Sequence, residues 1–296
     1  MVAGKVSGQA VQSLTYRLAR KRRGRGAAVL TALPFAIAAM LPMAATADAL
    51  PASFEASYRI SAKGLAVARM TRRFVSGRGA FSVRDETRTT GLAGLLRRES
   101  VSETSSGLLQ GTVMLPTRYR YERQRKRGTK ERELSFDWET SGVRDEIHAA
   151  SWPVALTRET FDKLAYQVAI MRDLAAGRRT LSYRIADDQR IKVYELATQG
   201  EETITTPSGS FVALRLSRTN AGGDRRTTFW CAGELGYLPV RVEHEDDGTV
   251  TVAELIDYQL LGSEAPPDSG VSAGGPLPEP DQDRPSKNSI KRSAGT

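Results

Sequence analysis

The chain has 296 residues, 43 Lys and Arg against 34 Asp and Glu, a formal net charge of +9, one cysteine and two histidines. One cysteine excludes an intrachain disulfide, and two histidines beside it leave almost nothing from which to build a zinc site or a catalytic triad. No glycine-rich phosphate loop is found either, so neither a metal nor another cofactor is expected.

The charge is concentrated at the start. Residues 1–47 hold seven cations (Lys5, Arg17, Arg20, Lys21, Arg22, Arg23, Arg25) and no acid. The apolar run AAVLTALPFAIAAMLPMAA overlaps the end of this region and closes on the small-residue sites Ala45-Thr46-Ala47 and Ala47-Asp48-Ala49. Basic region, apolar region and small-residue site in that order predict a signal peptide over residues 1–49. Its removal on export to the periplasm would leave no transmembrane anchor. Without the seven cations of residues 1–47 the net charge falls to about +2, so the basic composition does not point to nucleic acid, which is not an expected partner.

Residues 50–261 are long enough for a single domain with its own core. Phe54, Ala56, Tyr58 and Ile60 alternate onto one face, Gly64 breaks the run, and LAVARMTRRF continues it. Gly77-Arg78-Gly79 turns the chain into AFSVRDETRT. The segment TTGLAGLLRRES then sets Leu92, Leu95 and Leu96 among glycines. It reads either as a plug at a barrel end or as an apolar lid or membrane-touching tip.

The next hairpin is crowded with cations: Arg118, Arg120, Arg123, Arg125, Lys126, Arg127, Lys130 and Arg132, partly balanced by Glu122, Glu131 and Glu133. A solvated tip is one reading. A docking patch for an anionic envelope polymer, lipid headgroups or a protein partner is the other. One helix follows, in TRETFDKLAYQVAIMRDLAAG. Phe161, Leu164, Ala165, Val168, Met171 and Leu174 fall on one face, Thr157 or Thr160 is placed to cap the start, and Gly177 to cap the end. Four short strands come next, at 180–185, 191–196, 202–206 and 211–217, the last two joined by Pro207-Ser208-Gly209.

The last stretch, TFWCAGELGYLPVRVEHEDDGTVTVAEL, holds Cys231, His244 and a run of acids. Cys231, between Trp230 and Ala232, reads as a buried apolar residue. Asp247-Gly248 is a type I′ turn signal, which makes the acids a solvated hairpin tip. Glu254 alone breaks the pattern, because it falls between Val252 and Ile256 on what reads as an apolar face. A β-bulge turning it outward, or an Arg or Tyr partner, would account for it. A carboxylate that binds a ligand or moves protons inside a barrel is the alternative.

The order of these pieces resembles the family of exported bacterial proteins known as DUF3108. The resemblance lies in LPTRYRYERQRKRGTKERELSFDW, the helix containing DKLAYQV, the run YELATQGEETITTPSGSF, and TFW, LPVRVE and AEL in that order. It implies a β-rich envelope-associated domain and no particular reaction. The residues themselves predict a mainly β fold: a curved antiparallel meander, half-barrel or barrel, packed on one helix. Residues 262–296, rich in Pro, Gly and Ser, predict a disordered tail. The expected function is non-enzymatic binding of an apolar or amphiphilic molecule in the half-barrel, with Leu92, Leu95, Leu96 and Glu254 as candidate contacts. An envelope interaction protein using the basic hairpin is the second reading. A carboxylate-based hydrolase is the third.

Overall fold

The computed structural model describes residues 50–91, 94, 98–187, 189–219, 225–262 and 266. The signal-peptide region, Leu92, Leu95, Leu96 and nearly all of the C-terminal tail lie outside the described residues.

Fifteen strands form one sheet. Eight precede the helix region: β1 (Phe54–Ala62), β2 (Leu65–Gly77), β3 (Ala80–Thr89), β4 (Glu99–Gln110), β5 (Val113–Arg125), β6 (Gly128–Asp137), β7 (Gly142–Asp145) and β8 (Ala150–Pro153). The short β9 (Thr160–Phe161) leads into helix α1 (Ala165–Ala175). The rest are β10 (Thr180–Asp187), β11 (Arg190–Thr206), β12 (Gly209–Thr219), β13 (Arg225–Ala232), β14 (Leu238–Asp246) and β15 (Thr249–Leu260). Their spatial order is β8 through β1, then β15 back to β9. Two meanders therefore meet where the first strand pairs with the last, Phe54 opposite Leu260.

The sheet curls without closing, and β8 and β9 are its edges. Side chains bridge from one meander to the other. Arg132 on β6 donates to Asp187 on β10 at 3.0 Å, and Ser105 on β4 donates to Asp162 at 2.6 Å. The alternation expected from the sequence sets the two faces. Phe54, Ala56 and Tyr58, Phe74, Phe81 and Val83, Tyr119, Leu134 and Phe136 all point into the buried core. At Gly107 a Cβ would lie 2.1 Å from the Leu115 carbonyl oxygen, so the β4–β5 pairing, which shifts register there, needs a residue without a side chain.

Helix α1 fills the curl. Ala165, Val168, Ala169, Ile170 and Leu174 are all fully buried, and Met171 nearly so. A helix apolar on so many sides lies inside a core rather than on its surface. It is shorter than the sequence pattern suggests, because Thr160–Phe161 pairs with β10 as a strand. Thr157 and Thr160 do not cap it. They bond to each other instead, and Asp162 accepts from the backbone N–H groups of Leu164 and Ala165 at 2.8 and 2.9 Å. Gly177 does end it, at φ +82°, with the paired bonds from Gly177 N–H to Leu174 and from Arg178 N–H to Asp173 that close a Schellman turn. The two strands expected at 191–196 and 202–206 are one 17-residue strand, β11, carried across a register shift between Thr198 and Glu201.

Candidate functional site

Three polar arrays stand out on the two faces of the sheet. The first is inside. Arg72 sits on the inward phase of β2, between Met70 and Phe74, and Asp85 sits opposite it on β3. Arg72 donates to both Asp85 oxygens, at 2.8 and 2.6 Å, with both side chains more than nine-tenths buried. The fork of a guanidinium matches a carboxylate in this way and satisfies both groups away from water. Next along the same face, Glu103 accepts from the Tyr119 hydroxyl, and Ser105 donates to Asp162. Burial pushes the Glu103 and Asp162 carboxyls above the usual carboxylate range, against hydrogen bonds from Tyr119 and Ser105. Near Arg72, the fully buried Tyr58 hydroxyl has no hydrogen-bond partner among the described residues.

The second array is on the outer face. β15 contains a bulge: Ser57 pairs with Asp257, but Tyr58 pairs with Leu255, leaving Ile256 as the extra residue. That one-residue slip reverses the phase of β15. Leu255 enters the core with no exposure, and Glu254 faces outward. There it bonds Arg59 at 2.9 Å and Arg241 at 3.3 Å. The apolar face read across Val252, Glu254 and Ile256 is thus corrected, and the bulge with an arginine partner accounts for the carboxylate.

The pairing extends along the wall. Arg241 also bonds Glu243 at 2.6 Å and lies over the Trp230 ring, 5.5 Å from its centroid. Arg215 stands 5.6 Å from the same centroid, and Glu202 accepts from the indole N–H at 2.6 Å. At the Glu254 end, the β1–β2 and β14–β15 hairpins enclose a cleft of about 640 Å³. Arg59, Lys63 and Arg241 supply three cations to it and Glu254 one anion, above Ala66, Val250 and Val252.

The third array is the basic hairpin, which the pleat divides between the two faces. Arg118 pairs with Glu133 and Arg120 with Glu122 on one side. On the other, Arg123 and Arg125 share Glu99, and Arg132 reaches Asp187. Lys126, Arg127 and Lys130 are exposed and make no ion pair among the described residues. The hairpin is therefore a mostly neutralised stem with a small cationic tip. Asp187 is itself a hub, held also by Lys163 at 2.6 Å and by Lys192.

Cys231 is fully buried and burial pushes its thiol up, away from the reactive thiolate. No group of three His, Cys, Asp or Glu among the described residues is arranged to hold a metal ion. No described helix is long and apolar enough to cross a membrane.

A family model described as "Protein of unknown function (DUF3108)" matches residues 53–255. The chain belongs to the DUF3108 family. No curated protein matches it. Among solved structures, a β-barrel-like protein of the DUF1849 domain family from Brucella abortus is similar at 9% identity and a TM-score of 0.50, over 72% of this chain and 100% of that one. A DUF1089-family protein from Pseudomonas aeruginosa is 8% identical over 58% of this chain and 88% of its own, with a TM-score of 0.34. A Bacteroides fragilis protein with a YmcC-like fold, described as a candidate exported protein, is 9% identical over 71% and 98%, with a TM-score of 0.27. The Brucella likeness shows the fold, and the other two add nothing to it.

The DUF3108 match takes in the inner ladder from Tyr58 to Asp162 and the outer cleft from Arg59 to Glu254. Of the candidate contacts named from the sequence, only Glu254 lies at a described cleft. Sequence reasoning missed Arg72 and Asp85, although the signal was there: each is a charge beside large apolar residues on the inward phase of its strand, Met70 and Phe74 about Arg72 and Phe81 and Val83 before Asp85. It also missed Arg59, Lys63 and Arg241, which gather only once the β1–β15 register is known.

Proposed function

We propose that the protein is a non-enzymatic binding protein of the bacterial periplasm, and that it takes an anionic amphiphile in the outer cleft. The carrying observation is the composition of that cleft: Arg59, Lys63 and Arg241 against one lining carboxylate, Glu254, with Glu243 bonded to Arg241 beside it, set over Ala66, Val250 and Val252. A head with negative charge is matched by the surplus cations, and a short apolar stem by the floor. The same molecule has less claim on the curl of the sheet, whose middle is filled by α1 and the aromatic core. Periplasmic placement is supported by the basic, apolar and small-residue pattern of residues 1–49.

Native mass spectrometry of the protein purified from a bacterial periplasm without detergent would detect a carried molecule. Calorimetric titration with palmitoyl-lysophosphatidylglycerol would then measure the cleft directly. Lys63 makes no ion pair among the described residues, so Lys63→Ala should weaken binding about tenfold, the loss expected for one charged contact, and leave the melting temperature unchanged. A bare chain mass together with no heat of binding would overturn the proposal.

A second reading, docking of an anionic polymer or protein through the basic hairpin, keeps support only at Lys126, Arg127 and Lys130, which make no ion pair among the described residues.

A further inference from the structure

The antiparallel register places the β1–β2, β5–β6, β7–β8, β10–β11 and β14–β15 turns along one rim of the curled sheet. The opposite rim carries the β2–β3, β4–β5, β6–β7 and β13–β14 connections. The two rims differ in charge. On the first, Lys63, Lys126, Arg127 and Arg190 are exposed at turns or beside them, without an ion pair among the described residues. The acids there are mostly engaged: Glu99 by Arg123 and Arg125, Asp187 by three cations, Asp246 by Arg225 and Glu245 by Arg226. Among the described residues, Asp247 is the one exposed acid within the turns named here that makes no such pair. At the named turns of the second rim and the strand ends beside them, the exposed charges among the described residues are Arg78 against Asp137, Glu139 and Glu234, and no cationic surplus arises.

The rims differ in apolar exposure as well. Six large hydrophobic side chains among the described residues are exposed, and three of them, Leu65, Ile147 and Val250, belong to turns of the cationic rim or the strand ends beside them. Leu65 is the most exposed, at 71%. Apolar side chains displayed at hairpin tips have no place in a soluble core, and next to unpaired cations they match a surface that is apolar beneath and anionic above. The outer cleft opens on the same rim, since Lys63, Gly64, Gly248 and Thr249 line it.

We propose that this rim docks on an anionic lipid surface, with Lys63, Lys126, Arg127 and Arg190 among the headgroups and Leu65 and Val250 at the acyl boundary. The proposal deepens the cleft reading, because docking would bring the mouth of the cleft to the source of an amphiphile. It does not depend on that reading, because Lys126, Arg127, Arg190 and Leu65 lie outside the lining of the cleft, although Lys63 and Val250 belong to both.

The test is co-sedimentation of the protein purified from the periplasm with vesicles of phosphatidylcholine alone and of phosphatidylcholine containing phosphatidylglycerol. The expected result is binding to the anionic vesicles only, weakened by added salt. Each surface cation contributes about a fivefold factor, so the double substitution Lys126→Glu, Arg127→Glu should lower binding at least about twentyfold. Leu65→Ser should weaken it without changing the salt dependence. Unchanged melting temperatures would show that both variants fold. Absence of binding to anionic vesicles, or binding that survives the double substitution, would overturn the proposal. Binding to dextran sulfate but not to vesicles would also overturn it, and would assign the rim to a soluble polyanion. Lysophosphatidylglycerol titration of the same variants separates the two readings: docking lost with titration intact leaves the cleft standing, and the converse leaves the rim standing.

Discussion

Two arginine–carboxylate pairs show how much the same chemistry depends on its surroundings. Arg72 and Asp85 face each other in the core, and removing one partner strands the other away from water. Arg72→Ala should therefore destabilise the fold by about 3–5 kcal/mol, while replacing both residues by Met and Leu should come close to neutral. Denaturant unfolding of the single and double variants would check this, and equal losses in both would show that the pair is not isolated from water. Glu254 holds Arg59 and Arg241 on the outer wall, where Arg59 is about half exposed, at 46% of its side chain. Glu254→Gln should cost only about 0.5–1 kcal/mol, read as a small fall in denaturation midpoint. A gain in stability would instead mean that the carboxylate is uncompensated in the native protein. The difference between these two residues was partly legible in the sequence. Charge on an apolar phase marks both as exceptions. Whether the exception is resolved by an inward partner or by a phase reversal depends on the bulge at Ile256, and a bulge is a property of pairing between strands 195 residues apart, which no local pattern encodes.

At the level of elements, alternation made most strands legible, and apolar spacing with Gly177 made the helix legible. The helix start was not, because Thr157 and Thr160 carry the same capping chemistry as Asp162, and only the pairing of β9 with β10 decides among them. The long β11 read as two strands because polar residues around Gly200 interrupt its alternation. The contacts that bridge the two meanders across the curl are likewise hidden in the sequence, and Asp187, bonded to Arg132 on the other meander, makes one of them. Burial alone would raise the Asp187 carboxyl, but hydrogen bonds and charge from Lys163 and Lys192 outweigh it and hold the group below its ordinary value of 3.8. A carboxyl lowered on folding contributes full stability above pH 3.8 and loses it as pH falls through the folded value. Asp187→Asn should thus lower the melting temperature at neutral pH and flatten its decline below pH 3.8, as followed by circular dichroism. An unaltered acid profile would place the acid sensitivity elsewhere. Asp162 has the opposite sign: its carboxyl is raised by burial, so its protonation strengthens the fold as pH falls, and it cannot be the source of acid unfolding. The helix itself is held by packing. Ile170→Ala, at a site with no exposure, should cost about 2–5 kcal/mol in denaturant unfolding, and a loss under 1 kcal/mol would show that the surroundings of α1 collapse around the missing methyl groups.

For the molecule as a whole, the strand order has a kinetic consequence. Each meander is stitched from neighbouring hairpins, but the junction of β1 with β15 must wait until nearly the entire domain has been made. Closing so long a loop is entropically costly, and slow folding follows when such a contact is required early. The remedy is already present in the geometry. Leu261 N–H bonds the Ser53 carbonyl at 2.8 Å, so the two ends of the domain are side by side, while the sheet edges at β8 and β9 are consecutive in the chain. Joining Leu261 to Ser53 through a short glycine–serine linker and opening the chain between Pro153 and Thr160 would produce a permuted protein whose strands pair in simple succession from β9 to β8. It should reach the same native state about tenfold faster or more in stopped-flow refolding. Equal rates would mean that the two meanders find each other before the barrier, and that the natural order of the strands is not what limits the speed of folding.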